Sequence, residues 1–180
     1  MHIDTTEMID ELLESLSKVD GIHPEDVPNI DLYMDQVTTF MDAHLESSKR
    51  YQEDKILTKT MINNYAKNHL LPPPEKKKYS KEHMLILIFI YYLKSILSIN
   101  DIQTLLEPIT DKYFHSEEGF SITDLYQGVF VLERSEIEAV REDLLKTFEM
   151  AKTSFPDAPE EEKDFSRCFL LSACSVSTSI

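Results

Sequence analysis

Glycine is scarce. Three occur in 180 residues, Gly21, Gly119 and Gly128, where average usage is roughly 7%. No two of them make a GxGxxG or Walker pattern, and few tight hairpin turns can be built without a residue suited to positive φ. The scarcity argues against α/β nucleotide enzymes and β-rich folds. Cysteine is equally sparse: Cys168 and Cys174 are too few for a disulfide framework, and their spacing matches no common zinc signature. On a helix they stand about 240° apart and share no face. Two semi-buried thiols in a reducing compartment is the plain reading. Long apolar runs are missing too. The longest, Met84–Leu93, has ten residues, against roughly 20 needed to cross a bilayer. The N-terminus is acidic and amphipathic, not basic then apolar, so no signal peptide is expected. These features predict a soluble cytoplasmic protein with no membrane partner.

What is plentiful is acid. The net charge is −15, unfavourable for nucleic acid as a sum, but its distribution is uneven. Residues 1–48 carry −11, residues 49–94 carry +6 and residues 95–180 carry −10. The basic middle is where function is sought.

Nearly every segment reads as helix. Residues 5–19 set Ile9, Leu12, Leu13, Leu16 and Val19 on one stripe. Residues 20–30 hold a glycine and two prolines and read as a linker. A second helix is expected from about Leu32 to Ser47, followed by a polar loop. A third, 58–69, begins at Thr58, a good N-cap, and must stop before Pro72-Pro73-Pro74. Residues 75–79 are extended by default. Ser80 then caps a helix over about 81–97 that is apolar nearly all round, the expected centre of the core. Three later starts show a Ser-x-x-acid pattern: Ser98/Asp101, Ser121/Asp124 and Ser135/Glu138. The last opens a helix over 135–154 with Ile137, Val140, Leu144, Phe148 and Ala151 in register. An apolar helix follows around 164–175. The fold class is all-α.

The informative stretch is 57–106. On helix 58–69, Met61, Ile62 and Tyr65 can dock inward. Thr58, Lys59, Thr60, Asn63, Asn64 and Lys67 are left outside, with no acid among them. Asparagine pairs bidentately with adenine, and lysine or threonine reaches phosphates or base edges. Lys76, Lys77 and Lys78 add a charge cluster suited to phosphate contact and counterion release.

The run YAKNHLLPPPEKKKYSKEHMLILIFIYYLKSILSINDIQTLL resembles the DNA-binding head of MerR-type transcription regulators. From Pro28 onward, including IDLYMDQV, the chain looks like a bacterial family of uncharacterised proteins carrying that head. The resemblance implies a winged helix-turn-helix embedded in a helical bundle and bound to duplex DNA, helix 58–69 in the major groove and a wing at 75–79 on the backbone or minor groove. It implies an acidic N-terminal helix and linker over 1–27, the head over 28–108 and a C-terminal helical region over 109–180. Tyr65 matches the tyrosine of the recognition helix, which packs and touches phosphate. Leu70, Leu71 and Pro72 match the Leu-Leu-Pro element, Lys77 or Lys78 with Tyr79 and Ser80 the end of the wing, and Ile99–Ile102 with Leu105 the segment after the core helix. Asn63 stands where arginine is usual, His69 replaces the glycine after the recognition helix, and the wing is shorter and lacks its glycine. No long heptad run is expected after residue 107, so dimerisation through a long helix is not foreseen. The stripe at 135–154 is open to pairing in a homodimer, though an intramolecular core is the commoner use.

Enzyme chemistry finds no foothold. The six histidines, His2, His23, His44, His69, His83 and His115, form no HExxH or paired ligand spacing, and no GxSxG element occurs. No catalytic residue, metal site or cofactor is expected. Two readings stand beside DNA binding. One is a protein-interaction module that has lost DNA binding and engages a protein partner. The other is a small-molecule sensor whose pocket uses Tyr91, Tyr92, Tyr113, Phe114, Phe120, Tyr126 and Phe130. The acidic helix 5–19 is also expected to be able to fold over the basic middle and mask it, since the opposite charges of their segments attract.

Overall fold

A computed structural model describes residues 7, 9–11, 13, 14, 21–49, 53–116 and 119–177, with the backbone alone for 160, 161 and 171–177. The expected masking helix 5–19 and the Cys174 thiol therefore lie largely outside the described residues. Among the described residues 66% are helical, and they form one small two-stranded sheet. It divides into two compact units, Gly21–Val131, and Met1–Asp20 with Leu132–Ile180. No helix among the described residues is long and apolar enough to cross a membrane.

The first unit opens with strand β1, Leu32–Tyr33, and helix α1, Met34–Leu45, which a single 3-10 turn extends to Ser48. Helix α2 is Lys59–Lys67, strand β2 is Lys78–Tyr79, helix α3 is Lys81–Leu93 and helix α4 is Ile99–Tyr113. Two expectations need correcting here. The helix predicted from Leu32 begins two residues later, because Leu32 and Tyr33 pair antiparallel with Tyr79 and Lys78. The stretch 75–79 is a hairpin, with a bridge between Glu75 and Lys78. Its two turn residues, Lys76 (φ 49°) and Lys77 (φ 65°), are both left-handed. That is the backbone of a type I′ turn, which usually recruits Asn-Gly. Glycine scarcity did not exclude a hairpin; two lysines took its place.

The core of this unit is built around α3. Residues His83 to Ile88 and Ile90 are all buried, and Val37, Met41, Ile62, Leu71 and Ile102 close around them. Six consecutive buried positions need neighbours on every side, consistent with a central helix. Truncating one, such as Leu85→Ala, costs about 2–5 kcal/mol. Strand alternation places Leu32 and Tyr79 inward, while Tyr33 is exposed and Lys78 half-buried. Capping follows the sequence closely. Ser98 Oγ donates to Asp101 Oδ2 at 2.7 Å, and Ser121 Oγ donates to Asp124 Oδ2 at 2.7 Å.

Helix α5 runs from Ile122 to Lys152, 31 residues. The start expected at Ser135 is thus interior, and a long helix does follow residue 107. A Ser-x-x-Glu spacing is also an ordinary i, i+3 pair within a continuous helix. In the second unit, Phe148 and Ala151 of α5 bury with Ile9, against Leu13, Leu144 and Leu170. Helix α6, Glu160–Ser177, ends the described chain.

Candidate nucleic-acid interface

Helix α2 is set by its ends. At the start, the Met61 N–H donates to Thr58 Oγ1 at 3.2 Å, satisfying one of the orphan donors of the first turn. At the other end, the Leu70 N–H donates to the Tyr65 carbonyl at 2.9 Å and the His69 N–H to the Ala66 carbonyl at 3.4 Å. This is a Schellman arrangement, and its left-handed residue is His69 at φ 59°. Leu70 and Leu71 then turn into the core, so the prolines start from a fixed position.

Within that frame the expected site residues separate into three groups. Lys59, Thr60, Asn63, Asn64 and Lys67 are exposed on one contiguous face of α2, and Lys76 and Lys77 are exposed at the hairpin tip. Thr58 and Lys78 are half-buried. Tyr65 (7% exposed) and Tyr79 (2%) are core residues, and burial raises the pKa of both phenols. Their rings hold α2 and β2 against α3 instead of standing in the open face. Two cations are already engaged: Lys59 Nζ pairs with Asp35 Oδ1, and Lys78 Nζ lies 5.5 Å from the centre of the exposed Tyr33 ring. The first joins the starts of α1 and α2. The second sits at the β1–β2 register, a pairing that no local sequence signal announced.

Beneath the hairpin, Ser80 and His83 close the start of α3. The Ser80 N–H donates to His83 Nδ1 at 3.0 Å, and Ser80 Oγ is 2.9 Å from the same nitrogen. Histidine thus takes the place of the Glu or Gln that completes most capping boxes. With Nδ1 accepting, the proton sits on Nε2, which is buried with no hydrogen-bond partner. The ring is 1% exposed and packs edge-on to Tyr79 and Phe114. Burial lowers its pKa; the Pro73 and Pro72 carbonyls lie close enough to the ring to oppose this in part, short of hydrogen-bond geometry. Next to it, His115 Nδ1 is 2.8 Å from Glu82 Oε2.

The aromatic residues expected for a sensor pocket are mostly spent on packing. The Tyr126 hydroxyl donates to the Ile22 carbonyl at 2.7 Å, Phe130 stands against His23, Tyr113 is edge-on to Phe120 and Phe114 meets His83. Tyr91 and Tyr92 differ, for they line a cleft with Lys49, Lys55 and Lys94, three lysines that sequence spacing did not connect. Among the described residues no group of three or more His, Cys, Asp or Glu is placed to hold a metal ion.

The family model described as Domain of unknown function (DUF1836) matches residues 22–129, more than half of the chain. The chain belongs to that family. The match lies within the first compact unit, Gly21–Val131, and contains α2, the lysine hairpin and the whole α3 core. Comparisons with curated proteins and with solved structures each found no match.

Proposed function

We propose that this DUF1836 protein is a transcription regulator that binds duplex DNA through α2 and the lysine hairpin, residues 28–108 forming a winged helix-turn-helix head of the MerR type. Residues 1–27 are an acidic N-terminal appendage and residues 109–180 a helical region with separate duties. The observation that carries the reading is the acid-free exposed face of α2, capped at both ends, combined with a two-lysine turn projecting from the same unit. α2 lies in the major groove. Asn63, Asn64 and Thr60 read base edges, and Lys67, Lys76, Lys77 and Lys78 neutralise phosphates. Tyr65 and Tyr79 position these elements from beneath. Selection of bound duplexes from a random pool tests it. Asn63→Ala with Asn64→Ala flattens base preference at defined positions, while Lys76→Ala with Lys77→Ala weakens all sequences alike. Recovery of no enriched sequence by the wild-type chain overturns base readout.

A second reading is favoured by the surface. Ile96 is 81% exposed, and Ile99 and Leu105 follow it in the open, apolar side chains that suit a protein partner. In that reading the chain is a non-catalytic interaction module. One stoichiometric protein partner and no DNA retention supports it, and a clean operator footprint ends it.

A further inference from the structure

The cleft behind the 3-10 turn collects positive charge from three separate segments. Lys49 follows the turn after α1, Lys55 lies in the loop before α2, and Lys94 caps the end of α3. Among the described residues one carboxylate, Asp54, lines the cleft with them. In a chain of net charge −15, a described lining with three cations to one acid runs against the average composition. Lys94 is anchored, not free: Nζ donates to the Ile56 carbonyl at 2.6 Å and stands 4.7 Å from the centre of the Tyr91 ring. Burial lowers its pKa, the mark of an ammonium held out of bulk water. Among the described residues Lys55 makes no ion pair, and Lys49 meets the exposed Glu46 at 3.8 Å.

The walls are aromatic and hydroxylic. Tyr91 and Tyr92 are set edge to face, 5.6 Å between ring centres. Ser48 Oγ donates to the Leu45 carbonyl at 2.7 Å and accepts from the Tyr91 hydroxyl at 3.2 Å, fixing that ring. The cleft measures about 370 Å³, within the range of small-molecule sites. Three ammonium groups suit a phosphate dianion as point charges, and tyrosine faces suit a planar heterocycle.

We propose that this cleft is a binding site for a phosphorylated small molecule carrying a planar ring, of the mononucleotide class. Lys49, Lys55 and Lys94 hold the phosphate, and the tyrosine wall takes the ring. The site is separate from the lysine hairpin and does not depend on DNA binding by α2.

Calorimetric titration of the full chain with adenosine 5′-monophosphate, inorganic phosphate and adenosine tests it. Adenosine monophosphate is expected to saturate with a dissociation constant between about 10 μM and 1 mM. Each fragment is expected to bind at least about tenfold more weakly, since each loses one of the two interactions. Lys49→Gln with Lys55→Gln is expected to weaken the monophosphate at least about tenfold with an unchanged melting temperature. Tyr92→Leu is expected to reduce the preference for the monophosphate over inorganic phosphate. Absence of saturation up to about 10 mM overturns the proposal, as does unchanged affinity in the double lysine variant. A double variant that loses affinity for a duplex, in a chain that binds no monophosphate, assigns these lysines to the nucleic-acid backbone and also overturns it.

Discussion

Replacing Lys76 by Asn and Lys77 by Gly changes stability and DNA affinity in opposite directions. Both lysines occupy left-handed backbone, φ 49° and 65°, at a cost of about 1–2 kcal/mol for each residue with a Cβ. Asn and Gly are the residues this turn ordinarily selects. The relief is about 2 kcal/mol across the two positions, less about 1 kcal/mol for the freedom that the new glycine gives the unfolded chain. A net gain of about 1 kcal/mol is expected, a rise of about 3–5 °C in the melting temperature of a unit of this size. Both side chains are exposed, so no buried packing is lost. Two cations leave the hairpin tip, and the slope of log affinity against log salt should become shallower by about 2. Differential scanning fluorimetry reads the first effect and fluorescence anisotropy across a salt series reads the second. Arg141→Gln with Lys146→Gln, removing the same charge from exposed positions on α5, controls for net charge and should leave the slope unchanged. A lower melting temperature refutes strain at the turn. An unchanged slope refutes the phosphate role of Lys76 and Lys77.

Other substitutions follow from the same geometry. His69→Gly, at the left-handed end of α2 (φ 59°), should stabilise the chain by about 0.5–1 kcal/mol in urea melts, and a loss of stability refutes the Schellman reading. Thr58→Ala removes the cap at the start of α2 and should cost about 1 kcal/mol, measured the same way. His83 has a lowered pKa in the folded chain, so the unfolded chain takes up its proton first as the pH falls. Its stabilising contribution is therefore complete above the ordinary histidine pKa and is lost as the pH drops below it, at up to about 1.4 kcal/mol per pH unit. His83→Gln, which keeps an acceptor for the Ser80 N–H, should reduce this acid sensitivity in urea melts at about pH 7.5 and pH 5.5; an identical pH dependence in both proteins contradicts the assignment.

Much of the helical architecture can be read from local pattern, because its causes are local. Thr58, Ser98 and Ser121 cap the helices that follow them, and the apolar run from Met84 is the buried centre of the first unit. The failures also have local causes. Strand β1 is two residues long and is defined by partners 47 and 45 residues away, so Leu32 and Tyr33 carry the same apolar signal as the helix they precede. The hairpin turn hides because lysine tolerates a conformation that glycine would announce. Ser135 and Glu138 imitate a cap inside an unbroken helix. At the candidate site, the exposed face of α2 was legible from spacing, whereas Tyr65 and Tyr79 turned out to be supports, and the pairing of Lys59 with Asp35 needed the packed structure. His83 looked like one of six scattered histidines until its place opposite Ser80 gave it a role.

The most direct measurement is anisotropy of a random-sequence duplex with the full chain at about 50 mM and about 200 mM salt. Four hairpin and α2 lysines on phosphate predict micromolar binding at the lower salt and a log–log slope of about −3.6. No binding at the lower salt, or a slope near zero, contradicts DNA recognition by α2 and the lysine hairpin.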